Sequence, residues 1–166
     1  EGALYADYGE DAYRRVARME EGTLCHEIFA NIRNAGELDA VLDDFETRGE
    51  IRDKTQREEL RKLISSAWEG NEQMRSWFVD PWELKLETGI LVNDREVRPD
   101  RVMIDRNTNN AIVLDYKFGQ WNKHYITQVQ QYMATLRNMG HSQVEGYLWF
   151  ARENRLIEVK DERVKG

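Results

Sequence analysis

Residues 98–118 read RPDRVMIDRNTNNAIVLDYKF, and this stretch decides the fold. Its two apolar runs, within 95–105 and 111–118, have the composition of β-strands, and the Asn-rich segment between them is typical of a tight turn. Because side chains alternate between the faces of a strand, Asp115 and Lys117 point the same way, about 7 Å apart along the backbone. An acid and a base on an otherwise apolar strand are costly to bury unless they pair or hold a metal ion.

The rest of the chain predicts helices before this region and one helix and one strand after it. Apolar residues recur at helical spacing upstream, and short apolar runs replace them after Asn71. The predicted helices cover 10–19, 22–36, 37–48, 55–69 and 123–138, and the predicted strands cover 75–79, 83–92, 95–105, 111–118 and 144–150. The three strands between 83 and 118 would form an antiparallel meander, and the last strand would return beside it by a crossover. We therefore predict an α/β fold with an αβββαβ core, a mixed central sheet and extra N-terminal helices.

The length of 166 residues predicts one domain, residues 1–166, with a sizeable core. Residues 1–70 would form a mainly helical cover that carries His26, and residues 71–166 would form the sheet core. The sequence begins at Glu1 without a Met, so we expect a fragment of a longer chain.

Charge and cysteine content exclude several classes of protein. The net charge of −7 argues against binding through a broadly basic surface, although residues 95–137 are locally rich in Arg and Lys. A lone Cys25 excludes a disulfide framework and a four-Cys iron–sulfur cluster within this chain, and it favours a cytoplasmic location. No apolar run approaches the roughly 20 residues that span a bilayer, so we expect no membrane partner.

Two carboxylates and an ammonium group in this order suit the hydrolysis of phosphodiester bonds. The reaction needs a nucleophilic water and stabilisation of charge on the phosphate, and divalent metals held by carboxylates supply both. Asp100 and Asp115 fall on neighbouring predicted strands and could chelate one Mg²⁺ or Mn²⁺ ion, with the Tyr116 carbonyl oxygen as a further ligand. Lys117 would orient or deprotonate the attacking water. Taken singly, each of these charges is better explained by a surface ion pair, and only their combination favours a metal site.

Four motifs, in order, resemble the RecB-type branch of the PD-(D/E)XK nuclease superfamily, which is found in helicase–nucleases of the RecB/AddA kind. The motifs are Gly-Thr-Leu-Cys-His ending at His26, Arg-Pro-Asp-Arg-Val around Asp100, Asp-Tyr-Lys-Phe-Gly with Asp115 and Lys117, and Gln128 with Tyr132 in a Q-x-x-x-Y arrangement. They cover roughly residues 22 to 150. The resemblance implies a restriction-endonuclease-like fold.

The resemblance also implies a role for each matched residue. The expected metal ligands for Mg²⁺ or Mn²⁺ are His26, Asp100, Asp115, the Tyr116 carbonyl and Glu87, with Glu83 as the alternative to Glu87. Lys117 would be the catalytic lysine, acting with Asp100 and Asp115, and no iron–sulfur cluster is expected. The residues expected to contact DNA are Gln128, Tyr132, Arg98, Arg101, Trp121 and Lys123, with Trp121 suited to stacking on a base. Without the other motifs, Gln128 and Tyr132 would be ordinary helix-surface residues.

The implied function is metal-dependent DNA cleavage, most simply exonucleolytic, by the nuclease domain of an ATP-dependent helicase–nuclease in DNA end processing and recombinational repair. The implied partners are DNA, the helicase portion of the same polypeptide and a second helicase–nuclease subunit. Two alternatives stay open at this point. One is a stand-alone repair or restriction endonuclease, and the other is a catalytically silent DNA-binding domain that keeps the nuclease fold.

Overall fold

The computed structural model describes residues 2–79, 81–86, 89–92 and 95–161. Its helices are α1 (Gly2–Ala30), α2 (Leu38–Thr47), α3 (Lys54–Glu69), α4 (Glu72–Trp77) and α5 (His124–Asn138), with a 3₁₀ turn at Ala35–Glu37. Its strands are β1 (Glu83–Leu86), β2 (Ile90–Val92), β3 (Arg95–Val97), β4 (Arg101–Ile104), β5 (Ala111–Lys117), β6 (Val144–Phe150) and β7 (Arg155–Val159). None of the helices in these ranges is long and apolar enough to cross a membrane.

A five-stranded sheet in the order β1-β4-β5-β6-β7 forms the centre of the domain. β1, β4 and β5 make the predicted antiparallel meander, and β6 returns parallel to β5 after α5. β7 adds an antiparallel edge strand, while β2 and β3 pair separately as a two-stranded hairpin. The predicted α/β fold with a mixed central sheet is therefore confirmed.

The two faces of the sheet bury two different cores. On β5, Ile112 and Leu114 pack into the core shared with α1 to α4, while Val113 packs against α5. Alternation along the strand places Asp115 and Lys117 on the α5 side. Because α5 connects the parallel strands β5 and β6, its first turns lie where β5 ends, close to these two side chains. A glycine on β6 lets α5 approach the sheet, since a Cβ at Gly146 would lie 2.7 Å from a Val129 methyl carbon.

Several predicted elements have different bounds. Residues 75–79 were expected as a strand, but α4 ends there; the Asn71 side chain accepts a hydrogen bond from the Met74 amide and caps that helix. The predicted strands 83–92 and 95–105 each divide in two, and β7 was not predicted because its alternation is weak. The predicted helices 10–19 and 22–36 merge into α1, which ends at Ala30 rather than at residue 36. Gly22 lies in its interior, where a Cβ would be only 3.3 Å from the Cβ of Phe118.

Candidate active site

The two aspartates meet at the end of the sheet where β5 finishes and β4 begins. Arg101 pairs with Leu114 across these strands, which leaves Asp100 opposite Asp115 one step further on. The Asp100 amide donates to Asp115 Oδ1 at 2.9 Å, and the Tyr116 amide donates to Asp100 Oδ2 at 2.8 Å. Each carboxylate is thus fixed by the backbone of the other strand. The pair is a consequence of strand register and needs no ligand to form.

Burial and like charge make Asp115 an unusual carboxyl group. Its side chain is 4% exposed. Desolvation by burial, followed by the charge of Asp100, raises its pKa to about 7, and Lys117 and His26 oppose the shift only in part. Close to neutral pH, a further positive charge beside Asp115 would therefore favour its ionised form.

His26 reaches the site from α1, on the other side of the β5 backbone. Its Nε2 atom lies 3.0 Å from the Tyr116 carbonyl oxygen and 3.4 Å from Asp100 Oδ2, and its Nδ1 atom lies 3.0 Å from the Gly22 carbonyl oxygen. Carbonyl oxygens only accept, so this geometry suits the imidazolium form, in which both ring nitrogens donate. Burial disfavours this charge, but the hydrogen bond to Asp100, the charge of Asp100 and the two carbonyls outweigh it and raise the pKa of His26 to about 9.

Lys117 is held by three groups on the α5 side of the sheet. Its Nζ atom lies 3.7 Å from Asp115 Oδ2, and it donates to Gln128 Oε1 at 3.3 Å. The same ammonium group lies 4.3 Å from the centre of the Tyr125 ring, within range of a cation–π contact. The lysine is 16% exposed, so it is oriented by the protein yet accessible to a ligand.

The comparison with protein families agrees with this geometry. A model of the PD-(D/E)XK nuclease superfamily matches residues 4–165, which is nearly the whole chain. The chain belongs to the PD-(D/E)XK nuclease superfamily. No curated protein matches it. Family membership makes phosphodiester hydrolysis the general activity and DNA the general substrate of this fold, and it gives the Asp100, Asp115 and Lys117 cluster its chemical context.

The donors at this nuclease site fit a hard divalent cation in chemical type. The Asp100 carboxylate and the Tyr116 carbonyl oxygen lie within 3.4 Å of the His26 imidazole, and the Asp115 carboxylate accepts from the Asp100 amide. Oxygen ligands of this kind select Mg²⁺ or Mn²⁺. Among the side chains that the structure describes, no group of three or more His, Cys, Asp and Glu residues is arranged to hold a metal as it stands. Glu87 lies outside the described residues. Glu83 pairs with Ile104, at the opposite end of β4 from Asp100, so it is not placed to serve the site.

One residue expected to contact DNA does not face solvent. Arg101 is fully buried, and its guanidinium donates to the carbonyl oxygens of Ile32, Arg33 and Trp77 at 2.6 to 2.9 Å. It also lies 4.2 Å from the centre of the Phe78 ring. The prediction that Arg101 binds DNA is therefore wrong, because strand alternation turns it away from Asp100 into the core.

The Q-x-x-x-Y pair faces Lys117 and the core. The Tyr132 ring is 2% exposed, which excludes stacking of this ring on a base. Burial, and then the charges of Asp115 and Asp100, raise the pKa of its hydroxyl, while its hydrogen bond with Gln128 opposes the shift. Gln128 also accepts from Lys117, so it connects the lysine to Tyr132. The expected direct DNA contact of Tyr132 is corrected to an indirect place beside the carboxylates.

The remaining residues expected to contact DNA are accessible. Trp121 is 56% exposed, and Lys123 at the start of α5 is also exposed. Arg98 is exposed and pairs with Glu96, with 3.4 Å between Nη2 and Oε1. Their roles stay predictions.

Sequence reasoning missed two residues that shape the site. Tyr125 forms part of the lysine's surroundings, and its position three residues before Gln128 on α5 was the available signal. Gly22 was noted only as part of a motif. Its carbonyl accepts from His26, and the lack of a side chain lets α1 lie against Phe118.

The ionisation of this cluster predicts how the metal-free domain responds to pH. Folding raises the pKa of Asp115 from 3.8 to about 7, so its ionisation increasingly disfavours the folded state as pH rises through that window. Folding raises the pKa of His26 from 6.5 to about 9, so its contribution is complete below 6.5 and is lost as pH rises to about 9. Both groups therefore lower the free energy of unfolding as the pH rises. We expect chemical denaturation in EDTA to give a lower free energy of unfolding at pH 9 than at pH 6.

Asp115→Asn is the control for this pH dependence. The substitution should remove the fall in the free energy of unfolding that occurs below about pH 7. The fall at higher pH, which His26 contributes, should stay. Equal slopes in the two proteins would contradict the assignment of the lower window to Asp115.

Proposed function

We propose that this chain is a Mg²⁺- or Mn²⁺-dependent deoxyribonuclease. The observation that carries the proposal is the meeting of Asp100, Asp115 and Lys117 at one end of the sheet, each fixed by contacts inside the protein. A silent binding domain would have no need of a lysine oriented beside a buried aspartate whose pKa is raised to about 7. All three side chains that the reaction requires are present.

The proposed cation would be held by Asp100, Asp115, the Tyr116 carbonyl and His26 after its Nε2 atom loses a proton. When bound, it supplies positive charge to the phosphate oxygens and lowers the pKa of water. The residues of the chain supply the positioning of the reacting groups. The backbone hydrogen bonds hold the Asp100 and Asp115 carboxylates in place, and each carboxylate keeps a second oxygen that accepts no backbone hydrogen bond among those described. This order reduces the entropy cost of assembling the reacting groups.

Lys117 would position and activate the attacking water. Its ammonium group is restrained by Asp115, Gln128 and Tyr125, so it can hold a water or a phosphate oxygen at a constant place. The proton that leaves the water would pass to solvent, because the ammonium form of Lys117 has no lone pair to accept it. Gln128, which accepts from Lys117 and hydrogen-bonds Tyr132, acts here as a positioning residue.

The narrower proposal is an exonuclease within a helicase–nuclease that processes DNA ends for recombinational repair. It is supported by the order of the four motifs, from the first helix to the Q-x-x-x-Y pair. Cleavage of closed circular DNA and of linear DNA with Mn²⁺ tests it. We expect the linear form to be degraded from its ends and the circle to stay intact. Cleavage of the circle would favour the stand-alone endonuclease, and helicase motifs in the same polypeptide outside residues 1–166 would support the larger assembly.

Metal binding itself is expected to raise the melting temperature. A ligand that binds only the folded state stabilises it in proportion to the logarithm of its free concentration above Kd. A thermal scan with increasing Mn²⁺ should therefore show a rising midpoint, and His26→Ala should make the rise smaller. His124→Ala, which alters an exposed histidine at the start of α5, is the matched control and should keep the full rise. Equal rises in the two variants would exclude His26 as a ligand.

A further inference from the structure

A cavity of about 580 Å³ opens directly beside the proposed catalytic lysine. One wall is formed by His26 and Lys117, which belong to the site already described. The other walls are formed by Arg18 and Gly22 of α1 and by Arg152 from the turn after β6. The volume lies within the usual range for a small-ligand pocket and suits one nucleotide.

Arg152 is hydrogen-bonded to the residue that directly follows β5, the strand that carries Lys117. Its Nε atom donates to the Phe118 carbonyl oxygen at 2.8 Å, and its Nη1 atom lies 3.3 Å from Glu21 Oε1. The neighbouring Ala151 amide donates to the Lys117 carbonyl oxygen at 2.9 Å. The guanidinium is therefore fixed relative to Lys117. These two contacts leave the remaining N–H groups of its five for a ligand, and the planar guanidinium suits a phosphate.

The cavity has the charge and the aromatic surface that a nucleotide needs. Arg18, Lys117 and Arg152 line it, against the single carboxylate of Glu153. Glu21 offsets part of the charge of Arg152, and Asp115 offsets part of that of Lys117, so the lining offers a phosphate three cationic donor groups rather than a large net charge. Tyr125 adds a half-buried aromatic ring to the lining, and any of the bases can stack on such a ring.

We infer that this cavity binds the DNA nucleotide next to the scissile phosphate, with Arg152 and Arg18 contacting its backbone phosphate. The inference rests on the proposed DNA cleavage and adds the place of the strand relative to the lysine. The arginine side chains of this cavity would allow a protein with a net charge of −7 to contact the phosphates of DNA at this place.

The experiment compares Arg152→Ala and Arg18→Ala with wild type in Mn²⁺-supported cleavage of a linear DNA. Arg106→Ala is the matched control, because it removes the same charge beyond the other end of β4, outside the cavity. We expect Arg152→Ala to raise KM by about 10-fold and to make the salt dependence of kcat/KM shallower by about one phosphate contact. Arg18→Ala should act in the same direction, and Arg106→Ala should match wild type.

A second readout separates phosphate contact from a structural role. Replacing one phosphate of the DNA by an uncharged methylphosphonate should bring wild type and Arg152→Ala to equal KM at one linkage next to the cleaved bond. A structural role would leave the gap between them the same at every linkage. If Arg152→Ala loses its folded state, Arg18→Ala carries the test, since the exposed Arg18 makes no contact with the Phe118 carbonyl.

The outcomes distinguish a failure of the proposed DNA cleavage from a failure of the proposed nucleotide binding in the cavity. A wild-type protein that cuts no DNA with Mn²⁺ or Mg²⁺ would overturn the proposed function, and this inference with it. A wild type that cuts DNA while both cavity variants keep the KM and salt dependence of Arg106→Ala would overturn this inference alone.

Discussion

Replacing Lys117 by alanine is expected to lower the Mn²⁺-supported rate of DNA cleavage by at least ~100-fold, which corresponds to about 2.7 kcal/mol of transition-state stabilisation. The ammonium group lies beside Asp115, and no other described lysine or arginine forms an ion pair with that carboxylate. Its loss removes the cation that would hold the attacking water, while the aspartates keep their backbone hydrogen bonds. Single-turnover cleavage at saturating Mn²⁺ measures the chemical step directly.

Asp115→Asn tests the same step through a different group. The substitution keeps the shape of the side chain and an oxygen able to accept from the Asp100 amide, but it removes the negative charge that a cation needs. We expect a loss of similar size. Because it also removes a buried like charge, the variant should be at least as stable as wild type in EDTA.

A matched control is available on the surface of α3. Lys62→Ala removes a lysine outside the site and should cleave at the wild-type rate. Near-wild-type cleavage by Lys117→Ala, with its melting curve unchanged, would contradict the catalytic assignment. A variant that is inactive and also unfolded would be replaced by Lys117→Met, which keeps an unbranched side chain of similar length and removes the ammonium charge.

The sequence predicts the meander and its aspartate pair because these depend on short-range rules. Period-two alternation, an Asn-rich turn and an apolar crossover helix fix which residues of β4 and β5 are opposite each other. Once the register is known, Asp100 and Asp115 must meet, and Lys117 must share the face of Asp115. The structure adds the reciprocal backbone hydrogen bonds, which the pattern alone does not contain.

The errors arise where a residue's partners are distant in sequence. Asp100 and Arg101 are adjacent, and both are charged, yet only Asp100 belongs to the site. The partners of Arg101 are carbonyls of residues 32, 33 and 77, which no local pattern reveals. Tyr132 was likewise expected to be accessible, because the helical pattern shows which face is apolar but not how close the sheet lies.

Arg101 should therefore be important for stability, and we expect Arg101→Met to be strongly destabilising. Its guanidinium gathers three carbonyl oxygens near the ends of α1 and α4, and the substitution leaves these acceptors buried without donors. Each buried acceptor left without a donor costs about 1–3 kcal/mol, so the loss of all three hydrogen bonds should cost about 3 kcal/mol or more. For a domain of this size the melting temperature should fall by roughly 10 °C. Urea denaturation of the purified variant measures the free energy directly.

Arg48→Met is the control that separates burial from the ring contact, because both arginines lie over a phenylalanine. The Arg48 guanidinium is 4.3 Å from the Phe45 ring centre, against 4.2 Å between Arg101 and Phe78. Arg48 is exposed and pairs with Asp44, an arrangement worth about 1 kcal/mol or less. If Arg101 instead contacted DNA, Arg101→Met would keep its stability and lose DNA affinity. A loss of stability far beyond that of Arg48→Met therefore places the residue in the scaffold that holds Asp100, rather than on the DNA surface.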